Sequence, residues 1–200
     1  PSYNQKQKQW TIKEVKQDKR FYLLLPVLLA PAFINTAIFF QQNHITTIKH
    51  WDSSIFPGAF SLFALISMIA SLWGGQIVDR IGASRLVILF ALPLGLGLVL
   101  LGVLKSPIAV LCYMTFAGIS SGISSILSGA LWAELYGTKY LGGIRSLFIS
   151  FMVFSTAIAP FLSGLLIDLG VDFNHVILFL GLYVIIASII AWFSKVQEIQ

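Results

Sequence analysis

Gly74-Gly75-Gln76-Ile77-Val78-Asp79-Arg80-Ile81-Gly82-Ala83-Ser84-Arg85 joins two long stretches that hold no Asp, Glu, Lys or Arg, 53–78 and 86–104. Three charges and three glycines crowd into this string. They mark a short hydrated turn between two apolar segments. Working outward, the pattern recurs. Uncharged runs occupy 21–48, 53–78, 86–104, 106–133, 146–167 and 173–194, each of 19 residues or more. A helix needs about 20 apolar residues to cross the hydrocarbon of a bilayer. Backbone inside lipid must also satisfy its own hydrogen bonds, which selects helices. The chain therefore reads as an all-α membrane protein: a lead-in over 1–20, a six-span domain over 21–194 and a tail over 195–200. Strands of a transmembrane barrel would be about ten residues of alternating polarity, and no such pattern is present.

Composition excludes the other broad classes. Of 200 residues, 57% are hydrophobic and 10% charged, against about 25% charged in a soluble domain. A globule of this length has too little interior to hide that apolar surface. The single cysteine, Cys112, rules out a disulfide scaffold. A net charge of +5 does not point to nucleic acid, because the cations are placed by topology. Lys6, Lys8, Lys13, Lys16, Lys19 and Arg20 all precede the first run. If the N-terminus is cytoplasmic, every Lys and Arg except Lys49 and Lys105 falls on the cytoplasmic side. The positive-inside rule thus predicts both termini in the cytoplasm of a plasma or inner membrane. The segment Trp10 to Arg20 fits either a surface helix or a disordered tail.

The six spans also suggest an internal repeat. Gly75-x-x-x-Asp79 precedes Gly82, and Gly164-x-x-x-Asp168 precedes Gly170. Three helices are an odd number, so a second triplet must insert upside down, a 3+3 inverted repeat of the kind secondary transporters use. Within the opening string, Gly75 lets a neighbouring helix come close. Asp79 can accept from backbone N–H groups at a nearby helix start, and Gly82 suits a left-handed turn. Arg80 and Arg85 can reach lipid phosphate or a carboxylate.

These residues resemble the loop signature of the major facilitator superfamily, G-x-x-x-D-R-x-G-R-[RK]. The likeness keeps Gly75, Asp79, Arg80 and Gly82 and departs at Ala83 and Ser84, with Arg85 one position late. The run Leu131 to Ser146 is similar to the loop between the fourth and fifth helices of a facilitator half, with Glu134 closing one span and Arg145 opening the next. The resemblance implies a conformational latch of Gly75, Asp79, Arg80, Gly82, Arg85, Glu134 and Arg145. It implies half of a major facilitator fold, best matched to the C-terminal six helices. The lead-in Trp10 to Val15 looks like the end of a cytoplasmic linker. Asn35 to Gln42 is similar to the following helix in bacterial permeases distantly like monocarboxylate or oxalate–formate carriers. The implied function is secondary active or facilitative movement of a small solute by alternating access. The implied partners are that solute, membrane lipid and an N-terminal six-helix half, in the same chain or a partner; no cofactor is implied.

Polar residues inside spans are costly and therefore candidate pathway residues. Asn35, Phe39 and Gln42 share one helical face with Pro31. Pro26 and Pro31 can break the backbone ladder and expose carbonyls. Asn35 and Gln42 fit substrate contact and interhelical hydrogen bonding equally well. Ser121 and Ser125, beside Gly118 and Gly122, fit a cavity wall as well as close packing. His44 is a candidate for proton coupling or an interfacial histidine. No Asp, Glu, Lys or Arg sits mid-span. Two rivals stand beside a carrier. One is a non-transporting scaffold or receptor-like relative. The other is an intramembrane serine protease using Ser120 or Ser121 with His175. No histidine has a partner at metal-ligand spacing, and no phosphate-binding glycine loop occurs.

Overall fold

The computed structural model describes residues 8–194, and every regular element among them is helical. The tail over 195–200, with Lys195, and Lys6 in the lead-in lie outside the described residues. In chain order the helices are α1 (Ile12–Gln17), α2 (Lys19–Phe40), α3 (Gln42–Ile48), α4 (Ile55–Ile81), α5 (Ala83–Leu89), α6 (Leu92–Val103), α7 (Ile108–Tyr136), α8 (Leu141–Asp168) and α9 (Phe173–Phe193). Six segments are long and apolar enough to cross a membrane: α2, α4, α5 with α6, α7, α8 and α9.

Where these helices stop and bend follows from local chemistry. The first uncharged run is not one helix: it breaks at Gln41, and α3 continues it. Pro26 and Pro31, expected to interrupt the ladder, lie inside an unbroken α2. The third span is broken instead, at Phe90 and Ala91. Pro93 lies in the first turn of α6, where its missing N–H costs nothing. The buried Leu94 N–H, in the first turn of α6, donates to the Ser120 hydroxyl of α7 at 3.1 Å. Gly82 separates α4 from α5 with φ 84° and ψ 152°. That is the mirror-extended region rather than the left-handed helical one expected, and it is still more exclusive to glycine. Gly137 ends α7 in the same way, with φ 81° and ψ 176°.

Close packing is set by glycines. The tightest crossing joins α4 to α7. A Cβ on Gly122 would lie 2.3 Å from the Ser67 carbonyl oxygen, and one on Gly118 3.0 Å from that of Phe63. Gly95 and Gly181 let α6 cross α9. Gly74, not Gly75, makes the close approach at the end of α4, against Ile123; a Cβ on Gly75 would meet nothing within 4 Å. Helix α2 packs on α8 and α9, and α6 lies between α7 and α9. Helices α4 and α8 are the least covered spans and present Leu72, Trp73, Phe154 and Phe161 outward.

The lead-in is docked. Thr11 and Glu14 form a reciprocal cap on α1, and Val15 is fully buried. The Thr11 N–H, the largest influence, and then Lys8 hold the exposed Glu14 carboxyl at about 2. Trp10 N–H donates to the Tyr136 carbonyl at the end of α7 (3.0 Å). The Gln9 side-chain carbonyl oxygen accepts from Lys139 N–H at 3.0 Å. Asp18 caps α2 through Arg20 N–H and pairs with the Arg20 guanidinium at 2.8 Å. Burial raises the Asp18 carboxyl, but these bonds outweigh it and leave it below its ordinary value. We call this the lead-in end of the bundle. At the far end, Lys49 Nζ donates to the carbonyls of Gly102 and Leu104, closing α6.

Candidate functional site: a groove between α2, α7 and α8

A groove of about 510 Å³ runs between α2, α7 and α8. Helix α2 contributes Pro31, Asn35, Thr36 and Phe39. Helix α7 contributes Ser121, Ser125, Ser128 and Trp132, and α8 contributes Arg145, Phe148, Met152 and Thr156. Spacings of three and four residues place each set on one helical face.

Asn35 is the polar centre of the groove. It is 7% exposed. Its Nδ2 donates to Ser121 Oγ at 2.8 Å, and its Oδ1 accepts from Tyr113 OH at 2.8 Å. The two alternatives for Asn35 therefore coincide: the side chain ties α2 to α7 and also borders the groove. Phe39 borders it too, held edge-to-face against Phe60, Phe63 and Tyr113. Ser125 Oγ donates to the Gly122 carbonyl and Thr36 Oγ1 to that of Ala32. These hydroxyl hydrogens are committed to their own helices, leaving the oxygens as acceptors.

Gln42 does not join this face. The break at Gln41 turns it aside, and its Oε1 is buried without a partner. Its neighbour Gln41 instead donates from Nε2 to Ser163 Oγ of α8 at 3.2 Å. His44 lies in α3 at the far end, edge-to-face with Phe173 at 5.6 Å. Gly118 and Gly122 face α4, so the small-residue stripe of α7 divides by face into packing glycines and groove serines.

The latch residues separate into two groups. Glu134 is brought to the α4–α5 turn: Ala83 N–H and Ser84 N–H donate to its carboxylate at 2.8 and 3.3 Å, and the Ser84 hydroxyl donates as well. Glu134 thus fills the acceptor role expected of Asp79, because Gly82 aims the start of α5 at α7. Asp79, Arg80 and Arg85 are exposed around the same turn, and no ion pair joins any of them among the described residues. Arg145 is not paired with Glu134. It lies inside α8 with its guanidinium carbon 3.6 Å from where a Gly129 Cβ would be, facing the groove.

The serine-protease reading does not survive this geometry. Ser120 is fully buried and accepts from Leu94 N–H. Ser121 is bound to Asn35, and His175 is exposed at the start of α9. No nucleophile–base pair forms among the described residues.

Comparison with known proteins decides the family. The model of the Major Facilitator Superfamily matches residues 21–198. The chain belongs to the Major Facilitator Superfamily. Membership and the six apolar helices make it an integral, multi-pass membrane protein of a transporter family. A search of curated proteins returned no match.

Tyr113 carries an interhelical bond that the sequence pattern does not single out; Gln41, one of the polar residues of the first span, carries another. Arg145 reads as part of the turn in the sequence because it precedes the uncharged run at 146. Its i+3, i+7 and i+11 neighbours Phe148, Met152 and Thr156 are the available sign that α8 starts earlier and turns that face inward.

Proposed function

We propose that this chain is one six-helix half of a carrier that moves a small solute by alternating access, with the α2–α7–α8 groove as its share of the solute path. The observation that carries this reading is the groove itself: amide, hydroxyl and guanidinium groups from three spans converge on one cavity, although polar groups at membrane depth are costly. Helices α4 and α8 are the least covered spans, and α8 lines the groove; a second half is proposed to cover them.

The helix contacts support a 3+3 inverted repeat. Exchanging the first, second and third spans for the fourth, fifth and sixth turns the α4–α7 contact into the α8–α2 contact. The same exchange turns the α6–α7 contact into the α9–α2 contact, and α6–α9 maps onto itself. Such self-consistency is what a pseudo-two-fold axis in the membrane plane demands. The lead-in end, rich in Lys and Arg, is read as cytoplasmic.

Asp79, Arg80 and Arg85 project from the α4–α5 turn as the latch surface for the other half. Gly75, open to its surroundings, lies on the same side. Glu134 holds that turn in place from beneath. His44 is placed at the far end, off the groove, and is proposed only as a proton acceptor near that mouth.

Solute uptake into proteoliposomes, screened over a panel of labelled small solutes, tests the reading. Ser125→Trp is expected to fill the groove and reduce uptake at least about tenfold while leaving insertion and melting temperature unchanged, since the site is open rather than packed. Full uptake by this variant would remove the groove from the path.

A further inference from the structure

The third span is divided into α5 and α6 at Phe90 and Ala91. Pro93 alone does not account for the division, because Pro26, Pro31 and Pro160 all lie inside unbroken helices. What distinguishes Pro93 is an acceptor on the neighbouring helix. In a continuous helix the Leu94 N–H would bond to the Phe90 carbonyl, four residues back. It donates instead to Ser120 Oγ of α7 at 3.1 Å, and both residues are fully buried. Phe90 (φ −63°, ψ −26°) and Ala91 (φ −89°, ψ −14°) keep right-handed helical dihedrals. The Leu94 N–H therefore has two acceptors within a small change of backbone: a hydroxyl on α7 and a carbonyl in its own span.

The two pieces of the span are anchored differently. Helix α6 is wedged: a Cβ on Gly97 would lie 3.1 Å from the Phe116 Cβ of α7, and one on Gly102 2.9 Å from Leu178 of α9. Helix α5 holds no glycine, and its start hangs on Glu134 near the lead-in end of α7. Beside the division lies a cavity of about 270 Å³, lined by Ile88 of α5, by Leu92 and, from α9, by Ile185, Ser188 and Trp192. It gives α5 room to swing while α6 stays in place. Ser120 is followed by Ser121, which accepts from the groove residue Asn35. One turn of α7 thus grips the groove wall on one side and the division of the third span on the other.

We propose that the third span is a two-state hinge in which the Leu94 N–H passes between Ser120 and the Phe90 carbonyl, making Ser120 a positioning residue that couples α7 to the α4–α5 turn. With Ser120 as acceptor the span is divided. With Phe90 as acceptor it is continuous, and α5 carries the turn with Asp79, Arg80 and Arg85 to a second position. The Ser120 hydroxyl then turns to a carbonyl of its own helix. No buried donor is left unmade in either state, and two packings of similar energy are what a conformational switch requires. The hinge does not depend on which solute the groove takes.

The test uses the full carrier with Cys112→Ala, in nanodiscs. Spin labels on Ile81→Cys, beside the turn, and on Phe193→Cys, at the end of α9, both exposed, report the position of the turn by double electron–electron resonance. Hydrogen exchange at the Leu94 amide reports whether it has an acceptor. Ser120→Ala is expected to raise the continuous form at least about fivefold relative to the divided one, from the cost of an unmade buried bond. Leu94 is expected to stay as protected as in the parent, because Phe90 takes over. Pro93→Ala removes the ring that crowds the Leu89 carbonyl and is expected to shift the distances the same way with Ser120 intact. Exchange at Leu94 at least about tenfold faster in Ser120→Ala shows that the N–H has no second acceptor and overturns the proposal, whatever the distances. A folded Ser120→Ala protein whose distances match the parent's overturns it too. If Ser120→Ala does not fold, Pro93→Ala decides: shifted distances with Leu94 still protected support the hinge, and unshifted distances overturn it.

Discussion

Replacing Gly122 by valine is expected to abolish most folded protein. The α4–α7 crossing leaves no room for a Cβ, which would sit 2.3 Å from the Ser67 carbonyl oxygen and 2.8 Å from the Ala70 Cβ. The obstacle is backbone, so no rotamer change relieves it. Overpacking a well-packed interface ordinarily costs about 1–3 kcal/mol. Displacing a main chain across two of the longest helices is placed at the upper end or above. The measurement is the monodisperse fraction after detergent extraction, with melting temperature on what remains. Gly75→Val is the matched control, because its Cβ would meet nothing within 4 Å. It is expected to extract and melt like the parent. Equal behaviour of the two variants would show that α4 and α7 do not cross at Gly122.

Removing the Glu134 carboxylate is expected to release the start of α5. Ala83 and Ser84 are buried, and their N–H groups have Glu134 as acceptor. An unsatisfied buried donor costs about 1–3 kcal/mol, so Glu134→Ala is expected to cost about 3 kcal/mol locally. Read by hydrogen exchange, that is a roughly hundredfold faster exchange at Ala83 and Ser84. Exchange in α9 is expected to be unaffected. Glu134→Gln keeps one acceptor oxygen and is expected to show a smaller change. Unaltered exchange at Ala83 and Ser84 in the alanine variant would mean that Glu134 does not hold the turn.

Much of this architecture was legible because a bilayer imposes a length on apolar runs. The spans announce themselves as gaps between charges, and Gly82 announces the turn after the second of them. What was not legible arises from one-residue phase. The break at Gln41 rotates Gln42 off the Asn35–Phe39 face, and nothing in the run 21–48 marks that position as a break. Proline content misleads in the same span: Pro26 and Pro31 are absorbed by α2, whereas Pro93 accompanies a real interruption that Ser120 satisfies from a different helix. Arg145 shows the third kind of failure. A charge at the edge of an uncharged run reads as a boundary marker, yet α8 begins at Leu141, which puts Arg145 one turn inside and facing the groove. Glu134 takes the role expected of Asp79 because which carboxylate reaches α5 depends on the direction Gly82 gives the chain, a property of φ and ψ rather than of spacing.

The central claim is that the α2–α7–α8 groove is exposed to water on each side of the membrane in turn. Thr36 lines it from α2. The decisive measurement is labelling of Thr36→Cys, in the Cys112→Ala background, by an impermeant thiol reagent applied separately to the two faces of sealed vesicles holding the full carrier. Leu182→Cys, on the outward face of α9, serves as the control. The expected result is reaction of Thr36→Cys from both faces and of Leu182→Cys from neither. Reaction of Thr36→Cys from one face alone, or from none, would contradict the account.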